Sequence, residues 1–268
     1  NSMVSVIKRK MARSMLSTNV SRWEGDKIRG KLNPRALFRV PIGTSKRVFR
    51  ERVESEDFNT AVQLMIDHSG SMCGSRLDLA SKTTIVLGEV LHQLGIPFSV
   101  AGFSTGDWDD AYTRKGSASH TEQQMYTRWG NLWIGLYKDF NESWTSVNHR
   151  IINMVRNERA NTYDGESLRW GAQQLIRRPE QRKIMFWLND GQPCPNGGDD
   201  GQAHKQYALD CSKEVERMVE LMAIGIQTDA VKRYYKNYVV VNQLNELPTV
   251  CLNELDALLR KGKSLRAA

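Results

Sequence analysis

The sequence predicts an α/β protein built on a central, mostly parallel sheet with helices on both faces. Three observations predict it. Short apolar runs alternate with stretches of helical periodicity from about residue 61 to 260, the order that makes βαβ units. Two of the runs, Ala61–Ile66 and Lys183–Leu188, have the apolar composition of buried strands. Both end abruptly in oxygen-rich turns, Asp67-His68-Ser69-Gly70-Ser71 and Asn189-Asp190-Gly191.

The elements follow in order. Val4 to Leu16 reads as a short basic amphipathic helix. Residues 19–60 are irregular, with extended pieces expected at Ala36–Val40 and Arg47–Val53. Ala61–Ile66 is the first secure strand. Leu77 to Leu94 has helical periodicity and stops at Gly95, as helices often do. Phe98–Phe103 is a second strand, and residues 104–131 are polar and Gly/Ser-bearing, hence a loop or insertion. Trp133–Arg159 is expected to be helical, with Trp144, Val147, Ile151 and Val155 on one face. Glu166–Ile176 is a helix and Lys183–Leu188 a strand. Ala203–Leu221 is a helix, Met222–Ile226 and Tyr238–Val241 are strands, and Gln243–Arg260 closes the chain as a helix. The expected organisation is a basic extension over residues 1–58 and one α/β domain over 59–262, with a helical insertion at about 104–160.

Composition narrows the function. Of 268 residues, 40% are hydrophobic and 25% charged, which is ordinary for a globular chain and unlike a disordered or coiled-coil one. No stretch approaches the roughly 18 uninterrupted apolar residues of a membrane span. The basic amino terminus has no apolar stretch of the secretory type, so no leader is expected. Cys73, Cys194, Cys211 and Cys251 form no CxxC pair and have no histidines at zinc-ligand spacing, which points to reduced thiols and a cytoplasmic location. The net charge of +8 is unevenly placed: the first 50 residues carry 13 basic and 2 acidic side chains, and the remainder is slightly acidic. Such an arm suits an acidic protein, lipid or nucleic-acid surface, or is simply the solvated face of a helix. Aromatic residues do not interleave with its charges, so nucleic-acid binding is not expected.

The two polar turns carry the chemistry. In open α/β sheets, ligands bind beyond the carboxyl ends of the strands. Hydroxyls and carboxylates brought together there suit a hard cation such as Mg²⁺, which keeps several waters and needs only one or two carboxylates. In the D-x-S-x-S spacing, Ser69 and Ser71 can point at one centre while Asp67 orients them or a bound water. Softer metals would want imidazole or thiolate, and His68, lying between the ligand positions, should point elsewhere. The alternative is a polar turn that caps the next helix through Ser71 or Ser75.

"AVQLMIDHSGSM", residues 61–72, resembles the start of a von Willebrand factor A domain with its metal-ion-dependent adhesion site. That resemblance implies a Rossmann-like domain whose Mg²⁺, or Mn²⁺ or Ca²⁺ in its place, is completed by a partner's carboxylate. It implies Ser69 and Ser71 as direct ligands, and Asp67 and Asp190 acting mainly through water. The family's middle loop supplies a Thr from a G-G-T-type turn. Here the corresponding stretch begins "NTYDGESLRW", so Asp164 takes the role, with Thr162 as the alternative. The resemblance narrows further, because "NTYDGESLRWGAQQLIRRPEQRKIMFWLNDGQP", "ELMAIGIQTDAVKRYYKNYVVV" and "VFRERVESEDFNTAVQLMIDHSGSM" are similar to stretches of the CobT subunit of aerobic cobaltochelatase. It implies a non-catalytic subunit that works with a ring-forming AAA+ ATPase, CobS-like, on a large subunit inserting Co²⁺ into a corrinoid ring in cobalamin biosynthesis. The other reading is an interaction module paired with a MoxR-type AAA+ protein in a chaperone-like remodelling complex.

Three decoys are set aside. Gly25–Lys31 fits G-x-x-x-x-G-K, but Leu32 replaces the Mg²⁺-binding hydroxyl and no buried strand precedes it, so ATP binding is not expected there. Trp108, Trp129, Trp133 and Trp144 are better used in packing than as a tetrapyrrole surface. No serine has a nucleophile-elbow context, so no catalytic triad is expected.

Overall fold

The computed structural model describes residues 22–40, 47–53, 59–105, 132–156, 161–191, 193 and 201–264. The expected helix at Val4 to Leu16 and most of the polar stretch 104–131 lie outside them. The described residues divide into two compact units, one within Arg9–Phe58 and one within Asn59–Ala268.

The smaller unit holds a three-stranded antiparallel sheet, order β1-β3-β2, of β1 (Arg22–Lys27), β2 (Lys31–Leu32) and β3 (Phe49–Val53). The second expected extended piece is therefore β3. The first is not extended: Pro34–Arg39 is a 3₁₀ helix. Asn33 accepts the Arg35 N–H on its side chain at 3.2 Å, and Pro34 at the first helical position is already held near helical φ. The G-x-x-x-x-G-K stretch covers the end of β1, the turn and the first residue of β2, with Asp26 and Gly30 at φ 58° and 121°. It runs into a strand, so it lacks the helix N-terminus that cradles phosphate.

The larger unit runs β4 (Thr60–Asp67), α1 (Ser75–Gln93), β5 (Phe98–Thr105), β6 (Leu132–Lys138), α2 (Trp144–Asn153), α3 (Asp164–Ile176), β7 (Arg182–Asn189), α4 (Gly201–Met218), β8 (Glu220–Ile226), α5 (Val231–Tyr234), β9 (Tyr238–Val241) and α6 (Leu247–Ser264). Its six strands lie in the order β6-β5-β4-β7-β8-β9. All neighbours are parallel except β6, which is antiparallel to β5 at one edge.

That edge corrects the expected helical insertion. Leu132–Lys138 is a sheet strand, and the helix begins only at Trp144. The run Leu132-Trp133-Ile134 and Tyr137 has the aromatic and branched side chains that suit a strand. Of the expected helical stripe, Trp144, Val147 and Ile151 are buried, whereas Val155 lies past the helix end in a 3₁₀ turn and is half-buried. Trp144 packs beside Phe98 with ring centroids 5.4 Å apart and donates its indole N–H to Glu89 at 3.1 Å. Trp133 stands edge-on to the His68 ring, so both described tryptophans of the proposed surface are packing residues.

Period-two alternation decides what each strand offers to each face. Ala61 and Met65 join Phe103, Leu168, Met185, Trp187 and Val215 in one core cluster, where the Phe103 and Trp187 rings stack at 4.0 Å. Asp67 is in phase with Met65 and so emerges on the side of α3. His68, out of phase, turns to the opposite face. It lies over Gly102, where a Cβ would come within 2.3 Å of the imidazole, and stacks on Tyr137.

Candidate metal centre

The two central strands β4 and β7 are neighbours, and their carboxyl ends stop at the same rim. Asp67 ends β4, and its Oδ1 accepts the Ser69 N–H at 2.7 Å, which curls the chain back over the strand end. Residues Gly70–Met72 then form one 3₁₀ turn, anchored by the fully buried Met72. The turn leaves Ser71 exposed and Ser69 nearly buried. Neither serine caps α1: the N-cap is Gly74, which makes no side-chain cap bond, and Ser75 is already helical. The capping alternative is thereby removed.

The polar groups form a directed chain. Ser71 Oγ donates to Asp190 Oδ1 at 2.7 Å, so its single proton is committed and the 2.9 Å bond from Ser69 Oγ to Ser71 Oγ has Ser69 as donor. Asp190, one residue beyond β7, also accepts Arg76 Nη1 on Oδ2 at 2.7 Å. From the start of α3, Asp164 accepts the Asn189 Nδ2–H on Oδ2 at 3.0 Å. Its other oxygen, Oδ1, is buried and has no hydrogen-bond partner among the described residues. Thr162, also buried, gives its hydroxyl to Asp164. All five expected site residues, Asp67, Ser69, Ser71, Asp164 and Asp190, therefore stand at one rim.

The electrostatics are those of an anionic pocket short of cations. Burial, followed by the Asp164 and Asp190 charges, pushes the Asp67 carboxyl well above the usual carboxylate range, against the pull of the Ser69 N–H. Burial likewise pushes Asp164 up to about 7, despite hydrogen bonds from Thr162 and Asn189. A small divalent cation would offset both burdens and give Asp164 Oδ1 a partner. The spacing also fits: adjacent oxygens around octahedral Mg²⁺ at about 2.0–2.1 Å stand about 2.9 Å apart, the separation of the two serine hydroxyls. Among the described residues, no three His, Cys, Asp or Glu side chains gather to hold a metal by themselves. Any ion at this rim would thus depend on hydroxyls and water, as Mg²⁺ sites do and structural zinc sites do not.

The sequence reading missed Arg76 and Gln227. Arg76 Nη1 also donates to Ser71 O at 2.8 Å, and its Nε donates to Gln227 Oε1 at 3.0 Å. Arg76 left one faint signal, a cation in the first turn of a helix, where the dipole disfavours it. Gln227 left none.

Residues 48–261 match the family described as the cobalamin biosynthesis protein CobT VWA domain. Among solved structures, the PilB minor pilin from Streptococcus sanguinis is 16% identical with a TM-score of 0.56, over 80% of this chain and 64% of that one. The pilus adhesin SpaC from Lactobacillus rhamnosus GG is 14% identical with a TM-score of 0.52, over 76% of this chain and 30% of the adhesin. Proximal thread matrix protein 1 from the mussel byssus is 16% identical with a TM-score of 0.51, over 75% and 47%. The chain therefore spans less than two thirds of each of these proteins, and the likeness is one of fold. Among the described residues, no helix is long and apolar enough to cross a membrane. Taken with the strand-end motif and the six-stranded sheet, the match over residues 48–261 shows that the chain belongs to the CobT von Willebrand factor A domain family.

Proposed function

We propose that this chain is a non-catalytic, CobT-like subunit of an ATP-dependent cobalt chelatase, joined to a CobS-like AAA+ ATPase ring through a Mg²⁺-bridged contact. The observation that carries the reading is the rim itself: two serine hydroxyls 2.9 Å apart, backed by Asp67 and Asp190, beside a buried Asp164 oxygen without a partner. When bound, Mg²⁺ would supply an open coordination position that a partner's carboxylate can fill. Ser69 and Ser71 would hold the ion directly. Asp190 would keep the Ser71 proton turned away from it, and Asp67 would hold the turn through the Ser69 N–H. Asp164 is preferred to Thr162 as the third protein ligand, because its buried Oδ1 has no hydrogen-bond partner among the described residues. Co²⁺ is cargo in this scheme, handled by a large subunit outside this chain.

Co-purification with an untagged AAA+ partner tests the proposal. The pair should stay together in Mg²⁺, separate in EDTA, and fail to form with Ser69→Ala. The isolated chain should neither hydrolyse ATP nor metallate a tetrapyrrole. Mg²⁺-dependent pairing that never recruits a chelatase large subunit would favour the MoxR-type remodelling complex instead. Pairing indifferent to EDTA and to Ser69→Ala would refute the bridged contact.

A further inference from the structure

We propose that Arg76 is the carboxylate-recognition residue of this rim, so that an incoming Asp or Glu carboxylate bridges the metal ion and the Arg76 guanidinium. The inference rests on the Mg²⁺ reading and extends it to a residue outside the adhesion motif. Arg76 is the second residue of α1, where a cation faces the positive end of the helix dipole, an arrangement that does not favour the helix. It is nonetheless fixed at two of its three nitrogens. Nη1 donates to both Asp190 Oδ2 and Ser71 O, and Nε donates to Gln227 Oε1. Nη2 has no partner among the described residues, and the side chain is one-third exposed. A guanidinium is planar and rigid, so fixing Nε and Nη1 orients Nη2 at no further entropic cost.

Gln227 strengthens the case. It is one of two non-glycine residues with positive φ among the described residues, at 56°, on the turn just past β8. Such backbone costs of order 1–3 kcal/mol and persists where the surroundings enforce it, often at binding sites. Its side chain holds Arg76 Nε, and its Nε2 reaches Asn242 O at 3.5 Å. A strained residue therefore braces a cation whose Nη2 has no partner among the described residues. A carboxylate has two oxygens, one for the metal and one for an N–H donor. Charge-assisted bonds of that kind are roughly twice as strong as neutral ones. Arg76 would thus make the site prefer a carboxylate to water or a hydroxyl as its last ligand.

The test measures Mn²⁺ binding to the full chain by EPR, in sodium acetate and in sodium chloride of equal ionic strength. If acetate bridges metal and guanidinium, the two bind with positive coupling, and acetate should raise the apparent Mn²⁺ affinity of the wild type at least about threefold. Arg76→Gln should abolish that gain whatever its own Mn²⁺ affinity, and Gln227→Ala should reduce it by leaving the guanidinium unbraced. An unchanged acetate gain in an Arg76→Gln protein that melts like the wild type would overturn the proposal, as would no gain in the wild type. Failure of the underlying metal reading looks different: Mn²⁺ affinity would be the same in wild type and Ser69→Ala, in either salt.

Discussion

Two ends of the same sheet each bury a titratable side chain, and they treat it in opposite ways. At the amino end of β5, Lys138 is 3% exposed, and its ammonium donates to Phe98 O at 2.7 Å and Asp139 O at 2.9 Å while sitting over the Phe98 ring. At the carboxyl ends of β4 and β7, Asp164 is 2% exposed and leaves one oxygen with no partner among the described residues, beside a second buried carboxylate. Both groups are pushed toward neutrality, Lys138 down to about 8 and Asp164 up to about 7. The difference lies in company: Lys138 has two carbonyl acceptors and an aromatic face, whereas the Asp164 oxygen stands among hydroxyls and other carboxylates, unlike the unsatisfied Gln63 Oε1 and Trp187 Nε1. Burial and perturbation alone do not identify a site.

The largest expected effect is on metal binding. Ser69→Ala and Asp164→Ala should each lower Mn²⁺ affinity by about two orders of magnitude or more, since each removes one of the few protein oxygens of a site that otherwise relies on water. Isothermal titration reads this directly. Both variants should keep a cooperative melt, because the side chains removed lie at the rim and not among the core aromatics. Complete unfolding, such as Trp187→Ala invites with a loss of about 3–5 kcal/mol, would make the rim a structural turn after all.

Next comes the pH response of Lys138. Its folded pKa of about 8 lies below the ordinary 10.5, so between those values the unfolded chain holds more protons than the folded one. Stability contributed by the neutral amine is therefore present above pH 10.5 and lost as pH falls through 8. Relative to Lys138→Met, the wild type should gain about 1–3 kcal/mol in urea unfolding between pH 7.5 and 10.5. A flat difference would mean that the carbonyl bonds fully offset burial of the charge.

The smallest effect has the opposite sign from a loss of structure. Asp164→Asn keeps an acceptor for Asn189 and removes the buried charge, so in EDTA it should be more stable than the wild type by about 1 kcal/mol at pH 8, while binding no Mn²⁺. Lower stability in EDTA would show that the Asp164 carboxylate is structural, like Lys138.

How much of this could be read from the residues depended on whether the signal was local. The run Ala61–Ile66 ending in Asp67-His68-Ser69-Gly70-Ser71 announces a strand, its end and its oxygen donors within a dozen positions. The rim residues of β4 and β7 were legible for that reason. His68 followed from alternation, since a residue next to Asp67 on a strand end must face the other side. The edge strand β6 was not legible, because the buried stripe of α2 begins at Trp144 and the apolar run before it was absorbed into one helical pattern. Pro34–Arg39 went astray because Asn33-Pro34 is a start signal for a helical turn as readily as an ending for an extended piece. Arg76 and Gln227 lie 151 residues apart, and nothing local tells a helix arginine that it will be braced from the end of β8.

The most direct test of the central claim is a crystal structure of the chain grown with Mn²⁺, read in the anomalous difference map. A single peak is expected at the rim, bonded to the Ser69 and Ser71 hydroxyls and close to Asp164, with Asp67 and Asp190 behind it. A rim without a peak at saturating Mn²⁺, with the ion held elsewhere by histidine or cysteine, would contradict it.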